Sequence, residues 1–375
     1  MSRILLPTSD APPKRGGVAR YIGAILRARH DVDVHVLPDH VGTKGAFLFL
    51  VQYLRTHDDV REIWTHHVLP VGTACYFLSF LGVCFGGAIP AYTVFLHGLD
   101  FDMARRNAWK RWLTRSILRR ARAIIVNSEG LRAEVEAFSG RNDVGVLYPC
   151  VAQELVDASE HTRKGLVHRT PEELARLLAS ALATTAGVGI SSSTTHANGP
   201  VRLLTVARLV ARKGHEKVLR ALSRVPHVTY TIVGDGPELQ HLRKIAEEEG
   251  VIDRVQFLTA ISDEELPALY VAHDIFVMPS TKHAYDREGF GIAYAEAGLF
   301  GLPCIATDIS GVNEVIEDGV TGVLIADTPD ALVSALTRLV ASPGLRSRMG
   351  TAARVRVLAH FTEACFRERL ARLFA

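Results

Sequence analysis

Short apolar runs alternate along this chain with longer segments whose apolar residues recur at helical spacing. In the first half, the strand candidates are RILLP, DVDVHVL, EIWTH, AYTVFL, AIIVN and VGVLY. From Val201 onwards the alternation resumes with VRLLTV, VTYTIV, RVQFL, DIFVMP, PCIAT and TGVLI. Because strands that alternate with helices are typical of parallel sheets covered on both faces, the pattern predicts two doubly wound α/β domains.

A segment of different composition separates the two halves. Residues 183–200 (ATTAGVGISSSTTHANGP) are rich in Ser, Thr and Gly and carry no charge, which is typical of a flexible connector. Just before it, TPEELARLLASAL begins with a capping box formed by Thr170 and Glu173, which predicts a short accessory helix. We therefore predict a first domain over residues 1–151, an interdomain insertion and linker over 152–200, and a second domain over 201–375. The last helix could pack back on the first domain.

Composition is that of a compact globular protein in a reducing compartment. The 375 residues are 48% hydrophobic and 22% charged, and this length favours two domains. The five cysteines are odd in number and never spaced as CxxC, which argues against a disulfide framework or a zinc site. The apolar run before Pro7 is too short for a signal peptide, so the sequence predicts a cytoplasmic protein.

One stretch could be mistaken for a membrane span, because residues 68–99 contain no Lys, Arg, Asp or Glu. Two glycines and Pro90 interrupt it. We expect instead a short buried helix over about residues 73–84, followed by a buried strand at 91–96.

The first half of the chain is the one suited to an anionic partner. Residues 1–150 hold 19 Lys and Arg against 13 Asp and Glu. Many of these cations lie in a predicted helix over residues 104–122, in which Trp112, Ile117 and Leu118 are expected to face the core. Such a basic helix, which also carries Trp109, suits the anionic inner face of a membrane, and a solvated surface helix is the alternative. Nucleic acid explains it less well, because no recognised binding motif accompanies it.

Several candidate ligand-binding residues directly follow predicted strands. In open α/β sheets ligands bind beyond the carboxyl ends of the strands. The residues in such positions are Gly16 and Gly17 after the first strand, His97 after AYTVFL, Arg208 and Lys213 after VRLLTV, and Glu288 after DIFVMP.

Two of these sets have a clear chemical interpretation. Arg208 and Lys213 place a planar fork and a point charge before a helix start, which suits a diphosphate, although a solvated basic loop has the same composition. In REGFGIAYAEAG, Glu288 and Glu296 flank small residues that let a ligand approach the backbone. Carboxylates accept paired hydrogen bonds from vicinal hydroxyls, so each glutamate could hold one sugar ring. A capping glutamate and a surface glutamate are the alternative interpretation.

The longer run PSTKHAYDREGFGIAYAEAGLFGLPCIATDISGVNEVIEDGVTG does not stand alone, because ARLVARKG and IVGDGPELQHL precede it. Together they closely resemble the signature of the retaining glycosyltransferases of family 4, which have the GT-B fold: two Rossmann-like domains facing a central cleft. The resemblance covers about residues 201–325. It extends more loosely into the first half through Gly16–Gly17, His97–Gly98 and VNSEG at 126–130.

The resemblance implies a role for each matching residue. Arg208 and Lys213 would stabilise the leaving diphosphate, while Glu288 and His97 would contact the transferred sugar. The implied donor-binding residues are Gly16 and Gly17 at the phosphate, Gly289, Phe290 and Gly291 at the sugar and phosphate, and Glu296 at the ribose. On this basis the first domain is the acceptor side, and the second binds the nucleotide sugar.

The implied activity is transfer of a hexose, with mannose or glucose the favoured sugars, from a GDP- or UDP-sugar to a glycan or lipid-linked acceptor in polysaccharide biosynthesis. The family is described as using the leaving diphosphate to take the acceptor proton, so no cofactor is implied. Another GT-B enzyme, such as a sugar-nucleotide epimerase, and a non-catalytic sugar-nucleotide-binding protein are the alternatives.

Three further motifs are given little weight. Asp100-Phe-Asp102 has the DxD form of a metal site, but its position in a GT-B-like domain argues against one, and metal independence is predicted. The sequence GDGP at 234–237 lacks the third glycine of a dinucleotide fingerprint. The pair His66–His67 is interpreted as a satisfied core or surface pair. Two departures from the family pattern concern the acceptor side and the hinge: Cys150-Val151 follows VLYP where the family commonly has Asn-Gly-Val, and the interdomain insertion is long.

Overall fold

The structure is a computed structural model that describes residues 3–14, 16–80, 89–166, 199–281 and 289–375, with only the backbone for 162–166. The predicted capping box at Thr170, all but the end of the connector at 183–200, and Glu288 lie outside these residues.

All twelve predicted strands are present, and they form two parallel six-stranded sheets, which confirms the predicted fold class. In the first sheet the order is β2-β1-β3-β4-β5-β6. Its strands are β1 (Arg3–Thr8), β2 (Val32–Val36), β3 (Val60–Thr65), β4 (Ala91–Leu96), β5 (Ala123–Val126) and β6 (Val144–Val146). In the second sheet the order is β12-β11-β10-β7-β8-β9. Its strands are β7 (Val201–Val206), β8 (Val228–Val233), β9 (Val255–Leu258), β10 (Ile275–Met278), β11 (Cys304–Thr307) and β12 (Gly322–Ile325).

Helices connect the strands in both halves. The helices before β7 are α1 (Gly17–Ala28), α2 (Thr43–Thr56), α3 (Thr73–Leu78), α4 (Leu99–Met103), α5 (Ala108–Arg120), α6 (Glu129–Ser139) and α7 (Gln153–Leu166). The later helices are α8 (His215–Leu222), α9 (Leu239–Glu248), α10 (Leu266–Ala272), α11 (Ile292–Leu299), α12 (Val312–Val315), α13 (Pro329–Val340), α14 (Pro343–His360) and α15 (Glu363–Leu373).

The chain divides into two compact units whose boundaries differ from a simple cut in the sequence. The first unit combines the described residues up to Cys150 with Gly289–Phe290 and the C-terminal 363–375, and the second contains the described parts of 151–281 and 291–362. Helix α15 belongs with the first unit because Phe366 and Leu370 are buried in its core. Helix α7, from the predicted insertion, packs on α10 and α11 of the second unit.

Each face of the first sheet is covered by its own apolar cluster, as alternation along the strands requires. Neighbouring residues of β1 separate in this way: Leu5 belongs to one cluster, and Leu6 to the other. The second sheet has a cluster that includes Leu203, Tyr230 and Val277.

Strand order locates the point at which ligands bind in such sheets. In the second unit the chain reverses direction across the sheet between β7 and β10, and in the first unit between β1 and β3. Crevices outside the carboxyl ends of these strand pairs are the expected binding positions. The segments after β7, β10, β1 and β3 are therefore the expected positions of ligand-binding residues.

The basic helix is present as α5, with one error in its predicted orientation. Ile117 and Leu118 are buried as predicted, but Trp112 is 55% exposed. The buried stripe runs through Leu113, Thr114, Ile117 and Leu118, which turns Trp112 outward to stack on Trp109 at 5.1 Å between ring centroids. The predicted helix at 73–84 begins as α3, which ends at Leu78. Within the described residues no helix has the length and apolarity needed to cross a membrane.

Candidate active site

In the second unit, the loop after β7 carries Arg208 and Lys213 in a constrained conformation. The chain passes through a 3₁₀ turn at Ala211–Lys213 and reaches Gly214 with φ of 73°. A Cβ on Gly214 would lie 2.2 Å from the carbonyl oxygen of Pro279, so only glycine fits here. Arg208 is exposed, whereas Lys213 is 9% exposed. The loop after β7 is therefore held against the segment that follows β10.

A second loop supports the first from the β8 side. The backbone N–H of Leu209 donates to the carbonyl of Asp235 at 2.9 Å, and the N–H of Glu238 donates to the carbonyl of Leu209 at 3.1 Å. The GDGP segment thus packs on the Arg208 loop. Its role in the described structure is to fix that loop.

A buried histidine lies beneath the same loop. His215 Nε2 is 3.3 Å from the carbonyl oxygen of Arg208, and Nδ1 is 3.5 Å from the hydroxyl of Tyr230. Burial lowers the pKa of His215 to about 4, so the ring is neutral near pH 7 and donates to the Arg208 carbonyl through Nε2–H. This neutral ring orients the backbone of Arg208 without adding a competing charge.

Glu296 lies in α11, which begins after Gly291. Its side chain is 2% exposed, and the hydroxyl of Tyr270 donates to Oε2 at 2.8 Å. The family resemblance implies a role for Glu296 at the ribose, and in the structure this carboxylate is buried and hydrogen-bonded to Tyr270. Glu288, predicted to contact the sugar, lies outside the described residues.

In the first unit, His97 follows β4 and is partly exposed. Its backbone N–H donates to Asp100 Oδ1 at 3.0 Å, and Asp102 forms an ion pair with Arg105. Burial raises the pKa of Asp100 to about 6. Both carboxylates of the DxD sequence thus have partners within the chain.

His97 is paired with His66, a residue that sequence analysis set aside. His66 Nδ1 lies 2.8 Å from His97 Nε2, and the two rings are nearly parallel, with 8° between their planes. His66 is fully buried and stacks on Phe95 at 4.8 Å. The signal that could have found it is positional: His66–His67 follows β3, which is adjacent to β1 at the reversal point of the first sheet.

The next residue, His67, holds the loop that leads to the predicted phosphate-binding glycines. His67 Nε2 lies 2.9 Å from Asp10 Oδ2, and Lys14 lies 3.0 Å from Asp10 Oδ1. The hydrogen bond from His67 holds the pKa of Asp10 well below its usual range. This loop continues to Gly16, which precedes α1, and Gly17, which begins it.

Residues 289 and 290 are brought onto the first unit beside His97. A Cβ on Gly289 would lie 2.3 Å from the carbonyl oxygen of His97, and Asn127 Nδ2 donates to that same oxygen at 3.2 Å. Phe290 is buried, with its ring 5.6 Å from that of Tyr148. Within the first unit, Gly289 and Phe290 therefore lie against two other sequence motifs, HG at 97–98 and VNSEG at 126–130.

Among the residues that the structure describes, no cluster of three or more His, Cys, Asp or Glu side chains has the arrangement of a metal site. The described groups are instead hydrogen-bond donors and cations at the ends of parallel strands. Such a set suits binding of a phosphorylated, hydroxyl-rich ligand.

Comparison with known proteins agrees with these motifs. Residues 190–356 match the family described as Glycosyl transferases group 1. The chain is 30% identical over 380 residues to a GDP-mannose-dependent alpha-(1-6)-phosphatidylinositol monomannoside mannosyltransferase of Mycolicibacterium smegmatis. This match covers 94% of this chain and 92% of the mycobacterial protein.

Solved structures with the same fold are also similar over almost the whole chain. A sucrose-phosphate synthase from Thermosynechococcus elongatus superposes with a TM-score of 0.77 at 20% identity, covering 100% of this chain and 98% of that one. The Anabaena protein HepE in complex with UDP and glucose gives a TM-score of 0.74 at 19% identity, covering 99% of each chain.

Proposed function

Because this chain belongs to the group 1 glycosyltransferases, which share the GT-B fold, we propose that it transfers a hexose from a nucleotide-diphosphate sugar with retention of configuration. The observation that carries the proposal is the Arg208–Lys213 loop, with its cations at the reversal point of the second sheet. GDP-mannose is the first donor to consider, since the mannosyltransferase relative is named for it. A UDP-sugar is the second.

In this proposal the cations stabilise the leaving diphosphate. Charge on the bridging oxygen grows as the bond to the sugar breaks, so a fixed cation favours the transition state over the bound donor. Arg208 supplies a planar fork for two phosphate oxygens, and Lys213 supplies a point charge from a mostly buried position. The diphosphate then accepts the proton of the attacking hydroxyl.

The transferred sugar and the ribose are held by hydrogen-bonding groups. His97 is partly exposed and fixed by Asp100 and His66, which suits a contact to a sugar hydroxyl. Glu288 keeps the sugar-binding role that its motif implies. Glu296 would accept from the ribose, with Tyr270 holding its Oε2 in place. The backbone around Gly289, Phe290 and Gly291 would approach the sugar and phosphate.

We propose that the reaction needs no metal. Asp100 accepts the backbone N–H of His97, and Asp102 pairs with the guanidinium of Arg105, so both carboxylates already have partners within the chain. Arg208 and Lys213 then provide the positive charge that a divalent cation would otherwise supply.

The acceptor is proposed to be lipid-linked and reached at an anionic membrane surface. Trp109 is 63% exposed and stacks on Trp112, on a face that also carries exposed Arg106 and Arg111. A groove of about 470 Å³ runs along this face. It is lined by Arg105, Arg106, Asn107, Ala108, Arg111, Trp112 and Arg115. Exposed tryptophan beside arginine suits the boundary between lipid headgroups and acyl chains.

The test of this function is transfer itself. Purified protein is incubated with GDP-[¹³C]mannose, EDTA and bacterial lipid extract, and the product is separated by phase partition before NMR of its anomeric carbon. We expect labelled lipid with the α configuration of the donor. A β product would overturn retention, and loss of transfer in EDTA that returns with Mg²⁺ would overturn metal independence.

A further inference from the structure

The buried contact between His66 and His97 has a consequence for the chemistry of His97. We propose that His66 is a positioning residue that fixes His97 as the tautomer with its proton on Nδ1, leaving Nε2 as a hydrogen-bond acceptor. This inference deepens the proposed function, and rests on it, because it concerns the ring assigned to the donor sugar.

The surroundings of His66 leave its ring little freedom. The side chain is fully buried, stacked on Phe95 and in edge contact with Tyr21 at 5.8 Å between centroids. Tyr21 is itself buried and donates its hydroxyl to the carbonyl of Leu147 at 3.1 Å, so its position is set independently. The ring of His66 is thus packed on two sides by aromatic side chains.

Both imidazoles are neutral near pH 7. Burial lowers the pKa of His97 to about 3 and that of His66 well below its usual value. If both rings were protonated, two N–H groups would also face each other across 2.8 Å. One hydrogen atom therefore lies between His66 Nδ1 and His97 Nε2, and it is covalently bonded to one of these two nitrogens.

The far nitrogen of His66 decides between these two arrangements. His66 Nε2 is buried and has no hydrogen-bond partner in the described parts of the chain. If His97 donated, the neutral His66 ring would carry its proton on Nε2, which would bury an N–H without an acceptor. Unpaired buried N–H groups are rarer in proteins than unpaired buried acceptors. His66 therefore carries its proton on Nδ1 and donates it to His97 Nε2.

The neutral His97 ring must then carry its own proton on Nδ1. That nitrogen makes no hydrogen bond with the residues that the structure describes, and His97 is partly exposed. The ring thus presents an N–H donor for a hydroxyl oxygen of the transferred sugar. Without His66, the His97 ring can also carry its proton on Nε2, and its Nδ1 would then be a hydrogen-bond acceptor toward the sugar.

Two variants of His66 separate this role from simple packing. His66→Phe keeps an aromatic ring against Phe95 but has no N–H, whereas His66→Asn places an amide N–H₂ near the position of Nδ1 and loses the ring. A packing role predicts that Phe is the better replacement. The proposed role predicts that Asn is the better one.

The tautomer is read by NMR of protein labelled with ¹⁵N-histidine, and the His97 signals are assigned by their loss in His97→Gln. We expect His97 to show a protonated Nδ1 in the wild type and in His66→Asn, and mixed tautomers in His66→Phe. We also expect kcat/KM for donor consumption to fall about tenfold in His66→Phe, as for loss of one neutral hydrogen bond, and to recover in part in His66→Asn.

A protonated Nε2 on His97 in the wild type would overturn the proposal, as would a His66→Phe variant with the wild-type tautomer and rate. The spectrum needs no substrate, so it tests His66 even if no donor is consumed. If no donor is consumed, the proposed function is wrong, and the NMR spectrum alone decides whether His66 sets the tautomer of His97.

Discussion

Gly289 and His97 are in direct backbone contact: a Cβ built on residue 289 would lie 2.3 Å from the carbonyl oxygen of residue 97. Real Cβ atoms do not approach an oxygen that closely, so any side chain at 289 must displace one of the two segments. The contact links the GFG motif to the histidine that we assign to the donor sugar.

Gly289→Ala is therefore expected to impair catalysis more than stability. Displacing the GFG segment by about 1 Å would misplace groups that align the donor, which can cost about 10²-fold in kcat/KM. The measurement is the rate of nucleoside diphosphate release, with the melting temperature recorded alongside. Gly344→Ala is the matched control, because its nearest atom is Arg348 Nη1 at 3.7 Å. A Gly289→Ala enzyme with the wild-type rate would contradict the assignment.

Glu296→Gln tests the proposed ribose contact. Glutamine keeps the size of the side chain and an oxygen that can accept from Tyr270, so we expect the fold to persist. The charge-assisted bond to the ribose is lost, and donor KM should rise about tenfold. Tyr270→Phe is the comparison, because it removes the supporting hydroxyl and keeps the carboxylate. A lower melting temperature with unchanged KM in Glu296→Gln would make Glu296 a purely structural residue.

His215 makes a prediction about pH. Its pKa is about 4 in the folded protein and about 6.5 in an unfolded chain. Between these values the unfolded chain binds one more proton, so acidification destabilises the fold. His215→Gln keeps a donor for the Arg208 carbonyl but cannot titrate. From pH 7 to pH 5 the wild type should lose about 2 kcal/mol of unfolding free energy relative to this variant.

Chemical denaturation of both proteins at the two pH values measures this difference. Parallel loss of stability in wild type and variant would show that His215 is not held neutral. The comparison cancels the titration of all other groups that the two proteins share.

The exposed tryptophan pair should report directly on membrane binding. The chain has three tryptophans, and Trp64 is fully buried, so a blue shift of fluorescence on addition of vesicles would come from Trp109 and Trp112. We expect it with phosphatidylglycerol vesicles at low salt, weakened at 0.5 M salt. Replacing both tryptophans by serine should abolish sedimentation with the vesicles.

Val355→Ser is the control for that experiment, because Val355 is as exposed as Trp109 but lies in α14 of the second unit. If wild-type protein shows no blue shift and no sedimentation with anionic vesicles, the alternative holds: α5 is a solvated basic helix.

Local pattern was enough to predict the strands and the loops that carry the candidate site. Arg208 and Lys213 could be placed after β7 from sequence alone, because the strand and the motif that follows it are contiguous in sequence, and their role stays a prediction. The His66 pairing was missed because it depends on β3 lying between β1 and β4, which is a property of sheet order. The last helix was expected to pack back on the first domain, and α15 does lie in the first unit, where Phe366 contacts Tyr21, a residue distant in sequence.

Trp112 shows a different limit of sequence reasoning. Helical spacing correctly predicted Ile117 and Leu118 on the buried stripe of α5, but the third apolar residue of that stripe is Leu113. Rotating α5 about its axis by one residue position turns Trp112 from the buried face to the exposed face. Aromatic size alone favoured the wrong residue, because an exposed tryptophan is costly unless a ligand or surface covers it.

In the proposed reaction, Arg208 and Lys213 stabilise a leaving nucleoside diphosphate. The most direct test incubates the protein with a panel of UDP-, GDP- and ADP-sugars in EDTA and follows nucleotide release, in wild type, Arg208→Ala and Lys213→Ala. Arg220→Ala is the matched control, because that exposed arginine pairs with Glu216 and Glu249. We predict release from one donor, GDP-mannose first, reduced about 10²- to 10³-fold in the two site variants and unchanged in the control. Release that is equal in all four proteins, or a wild type that neither binds nor cleaves any donor, would contradict the account.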